Sequence, residues 1–140
     1  MKYWINTVAR DHALIAQEGG FLQADHGKRL PLEKMSAGDL VLCYSPRTAL
    51  EEGDPLQRFT AIAEVADATI YTAAIPESLR PHRRSAKYFP CEEVEIKSLL
   101  PQLAFIKNRS SWGFLFRFGF LEIPRADFEF IAQQMKAKII

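Results

Sequence analysis

The chain is expected to fold as a small α+β domain, a mixed β-barrel with helices packed around it. Three features of the pattern predict this. Short β-branched and apolar runs recur between turn residues, a helical pattern lies near each end, and long polar connections separate them. Four to six strands and two main helices are expected.

Tyr3-Trp4-Ile5-Asn6-Thr7-Val8 has the aromatic and β-branched content of a first strand. Asp11 is placed to cap a short helix through Leu14 and Ile15, which Gly19-Gly20 stops. Residues 21–31 read as loop, and Pro31 to Met35 as one helical turn before Ser36-Ala37-Gly38. Asp39-Leu40-Val41-Leu42-Cys43-Tyr44 is an apolar run of the kind found in a buried strand. A polar loop with Gly53, Asp54 and Pro55 follows, and Gln57 to Ala66 returns as the second arm of a wide hairpin. Residues 76–85, with two prolines and three arginines, read as an exposed connection. Tyr88 to Ile96 is a strand pattern interrupted by Pro90, which marks a bulge or an edge. Leu99 to Phe105 is short and partly helical in pattern, and Trp112 to Ile123 suits irregular structure ending in a strand. Phe128, Ile131, Ala132 and Met135 fall at i, i+3, i+4 and i+7, the stripe of an amphipathic helix.

The 140 residues make one domain, residues 1–140, of 15.9 kDa. A content of 48% hydrophobic and 25% charged residues is that of a folded globular chain and excludes disorder as the default. No apolar run reaches the roughly 18 residues of a membrane span, and Met1-Lys2-Tyr3-Trp4 begins no signal peptide. Two cysteines, Cys43 and Cys91, are too few for a disulfide framework and suit a reducing cytoplasm.

Net charge is +1, but the charge is unevenly placed. Residues 1–79 carry 7 basic and 11 acidic side chains, whereas residues 80–117 carry 8 basic (Arg80, Arg83, Arg84, Lys87, Lys97, Lys107, Arg109, Arg117) and 3 acidic. Such a segment is either a solvated surface or a footprint for phosphate, and with Tyr88, Phe89, Trp112 and Phe116 interleaved the two readings stand level.

Motifs for catalysis fail one by one. Asp11-His12, Asp25-His26 and the separate His82 lack the HxH, HxxxH or CxxC spacing of a metal site, so no metal and no cofactor are expected. Cys43, set among Leu and Tyr in a strand, reads as a small buried hydrophobe rather than a nucleophile. Neither GxGxxG nor a GKS/T phosphate loop occurs, and Glu51-Glu52 and Glu92-Glu93 read as surface charges. What remains is a set of aromatics and small polar groups beside loops: Phe21 and Gln23 after the glycine pair, Tyr44-Ser45 at a strand end, Tyr88 in the basic stretch, and Trp112. Each ring taken singly reads as core. Together they would make walls that stack on a planar ligand while Asn, Ser or Gln reads its polar edge.

The order of segments resembles the EVE domain family. Tyr3-Trp4-Ile5-Asn6-Thr7 leads, followed by Gly20-Phe21-x-Gln23-x-x-His26-Gly27-Lys28. Gly38-Asp39, Tyr44-Ser45-Pro46-Arg47 and Phe59-Thr60-Ala61-Ile62-Ala63-Glu64-Val65 come next, then Trp112-Gly113, Phe116-Arg117-x-Gly119 and Glu122-Ile123. The resemblance covers nearly the whole chain and is nearest the stand-alone bacterial type. It implies a PUA-like fold of about five or six strands, related to YTH domains, and a role in reading modified bases of DNA or RNA. By the same resemblance Asn6 and Thr7 would bond the base edge, Phe21 and Tyr88 would be cage walls, and Gln23, Tyr44, Ser45 and Trp112 would be pocket or rim. Arg83, Arg84, Lys87, Arg109 and Arg117 would hold the phosphate backbone. The YTH cage is largely tryptophan, whereas Phe21 and Tyr88 stand at the matching positions here.

The function expected is therefore a non-catalytic nucleic-acid-binding module that accepts a flipped or unpaired base, with any effector a separate protein. The alternative is a binding protein for a free nucleotide, modified nucleoside or other small molecule. Neutralising Arg83 and Arg84 is the expected discriminator, since only the first needs a basic rim.

Overall fold

In the computed structural model, residues 1–73 and 81–139 are described; residues 76–80 of the expected connection at 76–85, Arg80 among them, lie outside. The elements are β1 (Tyr3–Thr7), α1 (Arg10–Gly19), β2 (Phe21–Leu22), α2 (Leu30–Lys34), β3 (Leu40–Arg47), β4 (Pro55–Thr72), β5 (His82–Tyr88), β6 (Val94–Glu95), β7 (Phe120–Ile123) and α3 (Arg125–Gln134). Short 3-10 turns fill Asp25–Gly27, Ile96–Ser98 and Leu100–Gln102, and a longer 3-10 segment, Arg109–Phe118, kinks at Ser111.

Among the described residues, seven strands form one sheet in the order β2-β5-β4-β3-β1-β7, with β6 paired to β4. β1 runs parallel to β3, and the other pairs are antiparallel. The expected barrel is thus an open mixed sheet among the described residues. Closure needs two edge strands long enough to pair, and one edge, β2, has only two residues.

β1 and β3 have buried residues on both faces, which is why β3 reads as an apolar run. Alternation sends Ile5, Leu42 and Tyr44 to one face, where they meet Phe128, Ile131 and Met135 of the α3 region. Trp4 and Val41 go to the other face, with Leu22, Leu32 and Met35. The hairpin of β3 and β4 forms as expected, but β4 runs on to Thr72 by way of an irregularity between Val65 and Ile70. β5 takes up the arginines expected to be a loop, because pairing with β4 and β2 satisfies their backbone groups. The strand expected over residues 88–96 shrinks to β6, as Pro90 lacks a donor.

Two helix ends differ from expectation or confirm it. Ala9, not Asp11, holds the N-cap position of α1, and Asp11 lies in its first turn. Gly20 stops the helix in a left-handed conformation at φ +70°, a glycine-tolerant geometry. The stripe of α3 is buried at all four expected positions.

Candidate functional site

At the carboxyl ends of the parallel strands β1 and β3 lies a cleft of about 830 Å³, roofed by α1 and closed on one side by β5. This size suits a small planar ligand or one nucleotide. Asn6 and Thr7 end β1 at its floor. Asn6 is buried, and its Nδ2 donates to the Gln23 carbonyl at 3.0 Å. A carbonyl only accepts, so the amide must turn its NH2 that way. That leaves Asn6 Oδ1 without a partner, and Thr7 Oγ1 is likewise unpartnered, although both atoms are shielded from bulk solvent. An orphaned buried acceptor costs about 1–3 kcal/mol, so an unpartnered oxygen on each of these two cleft-lining residues is a reason to expect a donor from a ligand.

The side wall is built by Gly19-Gly20-Phe21. A Cβ on Gly19 would come within 2.5 Å of the Phe21 ring, so only glycine lets the ring fold back against the helix end. The Arg83 guanidinium lies over that ring, its carbon 3.9 Å from the centroid, and Nε donates to Gln23 Oε1 at 3.1 Å. A planar ligand approaching this wall meets the guanidinium first, since Phe21 is covered. Tyr88, at the end of β5, donates its hydroxyl to the Phe21 carbonyl at 2.8 Å, and burial pushes its pKa well above that of a free phenol.

The cleft's charge is one-sided. His12, His26, Arg47, Arg83 and Arg117 line it, and no Asp or Glu does among the described residues. Such a lining attracts anions, and the low-dielectric walls strengthen the attraction. Cys43 also reaches the cleft, but burial pushes its thiol up to about 12. It stays protonated at neutral pH and is no nucleophile there.

Five of the eight expected base-contacting residues come together in this cleft: Asn6, Thr7, Phe21, Gln23 and Tyr88. Three do not. Tyr44 sits in the core, stacked on Phe116 at 4.3 Å, because alternation along β3 sends it to the face opposite Cys43. Ser45 is buried against Thr60, hydroxyl to hydroxyl at 2.8 Å, where the β3–β4 register slips. Trp112 packs edge-on to Phe116 at 6.3 Å.

The expected phosphate-binding residues divide similarly. Arg83 and Arg117 line the cleft. Arg84 is buried and donates to the carbonyls of Leu32, Met35 and Asp67, so it ties α2 and β4 to β5 and does not form a rim. Lys87 is exposed, 5.5 Å from the Phe89 ring, and the exposed Arg109 donates to the Pro101 carbonyl at 3.0 Å; neither lines the cleft. Sequence reasoning assigned no cleft role to His12, His26 or Arg47. Arg47 stood within the Tyr-Ser-Pro-Arg segment, and His12 opens a helix that directly follows a strand, so position along the chain held a signal that residue type did not.

The sequence profile of the EVE domain matches residues 2–134. Among curated proteins, a UPF0310 protein of Mycolicibacterium vanbaalenii is 45% identical over 96% of this chain and 93% of its own length. A UPF0310 protein of Bacillus subtilis is 40% identical over 98% of this chain and 94% of its own. Among solved structures, Rpa0253 from Rhodopseudomonas palustris superposes with a TM-score of 0.60 at 16% identity, covering 97% of this chain and 94% of that one. Atu2648 from Agrobacterium tumefaciens gives 0.55 at 14% identity, covering 96% and 92%. At those identities the likeness is one of fold.

Proposed function

The chain belongs to the EVE domain family, and from that premise we propose that it is a non-catalytic nucleic-acid-binding module whose cleft accepts an unpaired or flipped-out base of DNA or RNA, modified or not. One observation carries the reading. Three arginines and two histidines, unopposed by any carboxylate among the described residues, line the same cleft as an aromatic wall and the unpartnered Asn6 and Thr7 acceptors. An anionic ligand with a flat face and a hydrogen-bond donor on its edge satisfies all three features.

In this reading Asn6 Oδ1 and Thr7 Oγ1 accept from the base edge. The Phe21–Arg83 layer offers a face for stacking, a role guanidinium planes fill as well as aromatic rings. Arg47 and Arg117 meet phosphate, a contact that positions the strand without reading sequence. The proposal includes no catalytic step, and the Cys43 thiol in the cleft is held protonated.

The volume of the cleft also suits a free nucleotide, the second reading. With Arg84 buried, its neutralisation no longer separates the two; Arg83 and Arg117 take its place. The test is an amide NMR titration with nucleosides and short oligonucleotides. The set includes cytosine, 5-methylcytosine, 5-hydroxymethylcytosine and N6-methyladenine, at low and moderate salt. Saturable shifts at Thr7, Phe21 and Tyr88 that weaken with salt are expected for an oligonucleotide. Shifts that avoid the cleft, or none at all, would overturn the assignment.

A further inference from the structure

We propose that the 3-10 segment Arg109–Phe118 is a second nucleic-acid contact, on which nucleotides flanking the cleft-bound base stack against Phe114 and Phe118. The partner would then be a strand and not a free nucleotide. This rests on the reading of the cleft given above.

The segment reads Trp112-Gly-Phe114-Leu-Phe116-Arg117-Phe118, and its rings divide by burial. Phe116 turns inward and stacks on Tyr44 at 4.3 Å, which anchors the segment to the core. Gly119 ends it in a left-handed conformation, and its carbonyl accepts from Thr7 N at 2.8 Å, which ties it to the floor of the cleft. Phe114 and Phe118 turn outward, 53% and 64% exposed, and meet edge to face with centroids 5.6 Å apart. Two large adjoining rings left more than half exposed on an anchored segment mark a surface that meets a partner.

Charge and position say which partner. From residue 96 to residue 121 the chain has Lys97, Lys107, Arg109 and Arg117 and no Asp or Glu, and of these cations Arg117 stands beside the exposed Phe114. Flat apolar faces among cations match unpaired bases joined by phosphates. The patch is also continuous with the cleft. Arg117 lines the cleft, and its guanidinium carbon stands 6.0 Å from the centroid of Phe114. A strand leaving the cleft past Arg117 arrives at Phe114 and then Phe118.

The probes are cytidine and 5-methylcytidine monophosphates, N6-methyladenosine monophosphate, and short single strands with each base at the centre. They are titrated into the wild-type chain and into Phe114→Ala/Phe118→Ala, with cleft occupancy read from the Thr7 amide. The wild-type chain is expected to bind a strand at least about tenfold more tightly than the matching mononucleotide, and the double variant to lose about tenfold on the strand alone. Both side chains are exposed, so an unchanged amide spectrum elsewhere is expected to confirm the variant's fold. Strand affinity unaltered by the double substitution, or an equal loss on both probes, overturns the second contact and leaves the cleft standing. A concentration-dependent dimer that the substitutions abolish, with strand affinity intact, assigns the patch to a second copy of the chain and overturns it too. No binding of any probe by the wild-type chain overturns both the patch and the cleft.

Discussion

The two ends of β1 treat their polar groups in opposite ways. At the amino end, Asp39 Oδ1 accepts from the Lys2 backbone N–H at 2.9 Å, and Oδ2 accepts from Trp4 Nε1 at 3.0 Å and from the Ser36 N–H at 2.9 Å. On the same side of the molecule, Arg84 donates to three carbonyls. At the carboxyl end, Asn6 Oδ1 and Thr7 Oγ1 have no partner. Satisfied buried groups hold a fold together, whereas unsatisfied ones weaken it and persist only if something else uses them. The amino end is therefore structural, and the carboxyl end is where the proposed site lies.

That comparison can be broken most sharply at Arg84. Arg84→Met is expected to destabilise the chain by about 3 kcal/mol, since three buried carbonyls lose their donor. Chemical denaturation measures it; a loss below about 1 kcal/mol would remove Arg84 from the structural side. Asp39→Asn is expected to cost about 2 kcal/mol, because an amide NH2 then faces a donor.

The Asp39 effect also carries a pH signature. Burial pushes its carboxyl up, but bonds from Ser36, Lys2 and Trp4 outweigh that and hold it below the usual carboxylate range. A group whose pKa is depressed by folding contributes stability that is fully present above its unfolded value. That contribution is lost as pH falls through the folded value. The gap between wild-type and Asp39→Asn chains should accordingly close in acid; a gap constant from pH 7 down to the acid transition would contradict the assignment.

At the other end the expected signs reverse. Thr7→Val replaces an orphaned hydroxyl with a methyl of the same shape, so stability is expected to hold or rise by up to about 1 kcal/mol, while affinity for a cleft ligand falls. A clear drop in melting temperature would mean that the hydroxyl has a structural partner after all. Arg83→Met keeps the aliphatic stem and removes the charged, planar guanidinium that covers Phe21. Its expected cost to stability is under about 1 kcal/mol, with about a tenfold loss of ligand affinity. The smallest effect is at Cys43, whose buried thiol, raised to about 12, should resist a thiol reagent at pH 8 until the chain unfolds. Rapid labelling of Cys43 in a native Cys91→Ser chain, which removes the half-buried second thiol, would show the cleft floor to be open.

Arg83 and Arg84 show how far the sequence could be read. Both are adjacent basic residues in one charged stretch, and residue type gives them the same role. A strand sends neighbours to opposite faces, so one lies over Phe21 in the cleft and the other disappears beneath α2. The same alternation removed Tyr44 from the cleft and left Cys43 in it. Had residues 82–88 been read as strand, the division would have been legible. Two prolines and three arginines concealed it, because what makes that segment a strand is pairing with β4 and β2.

By itself the sequence determined the α+β class, the helix stripe at Phe128, Ile131, Ala132 and Met135, the stop at Gly20, the β3–β4 hairpin and the family. These depend on local periodicity, on backbone preferences and on the order of segments, all of which are written along the chain. Only the tertiary structure decided that the sheet stays open, that Arg83 covers Phe21, that His12, His26 and Arg47 share a cleft with Asn6, and that Phe114 and Phe118 face water. Those are distances between residues far apart in sequence, set by strand pairing and burial, and no local preference encodes them.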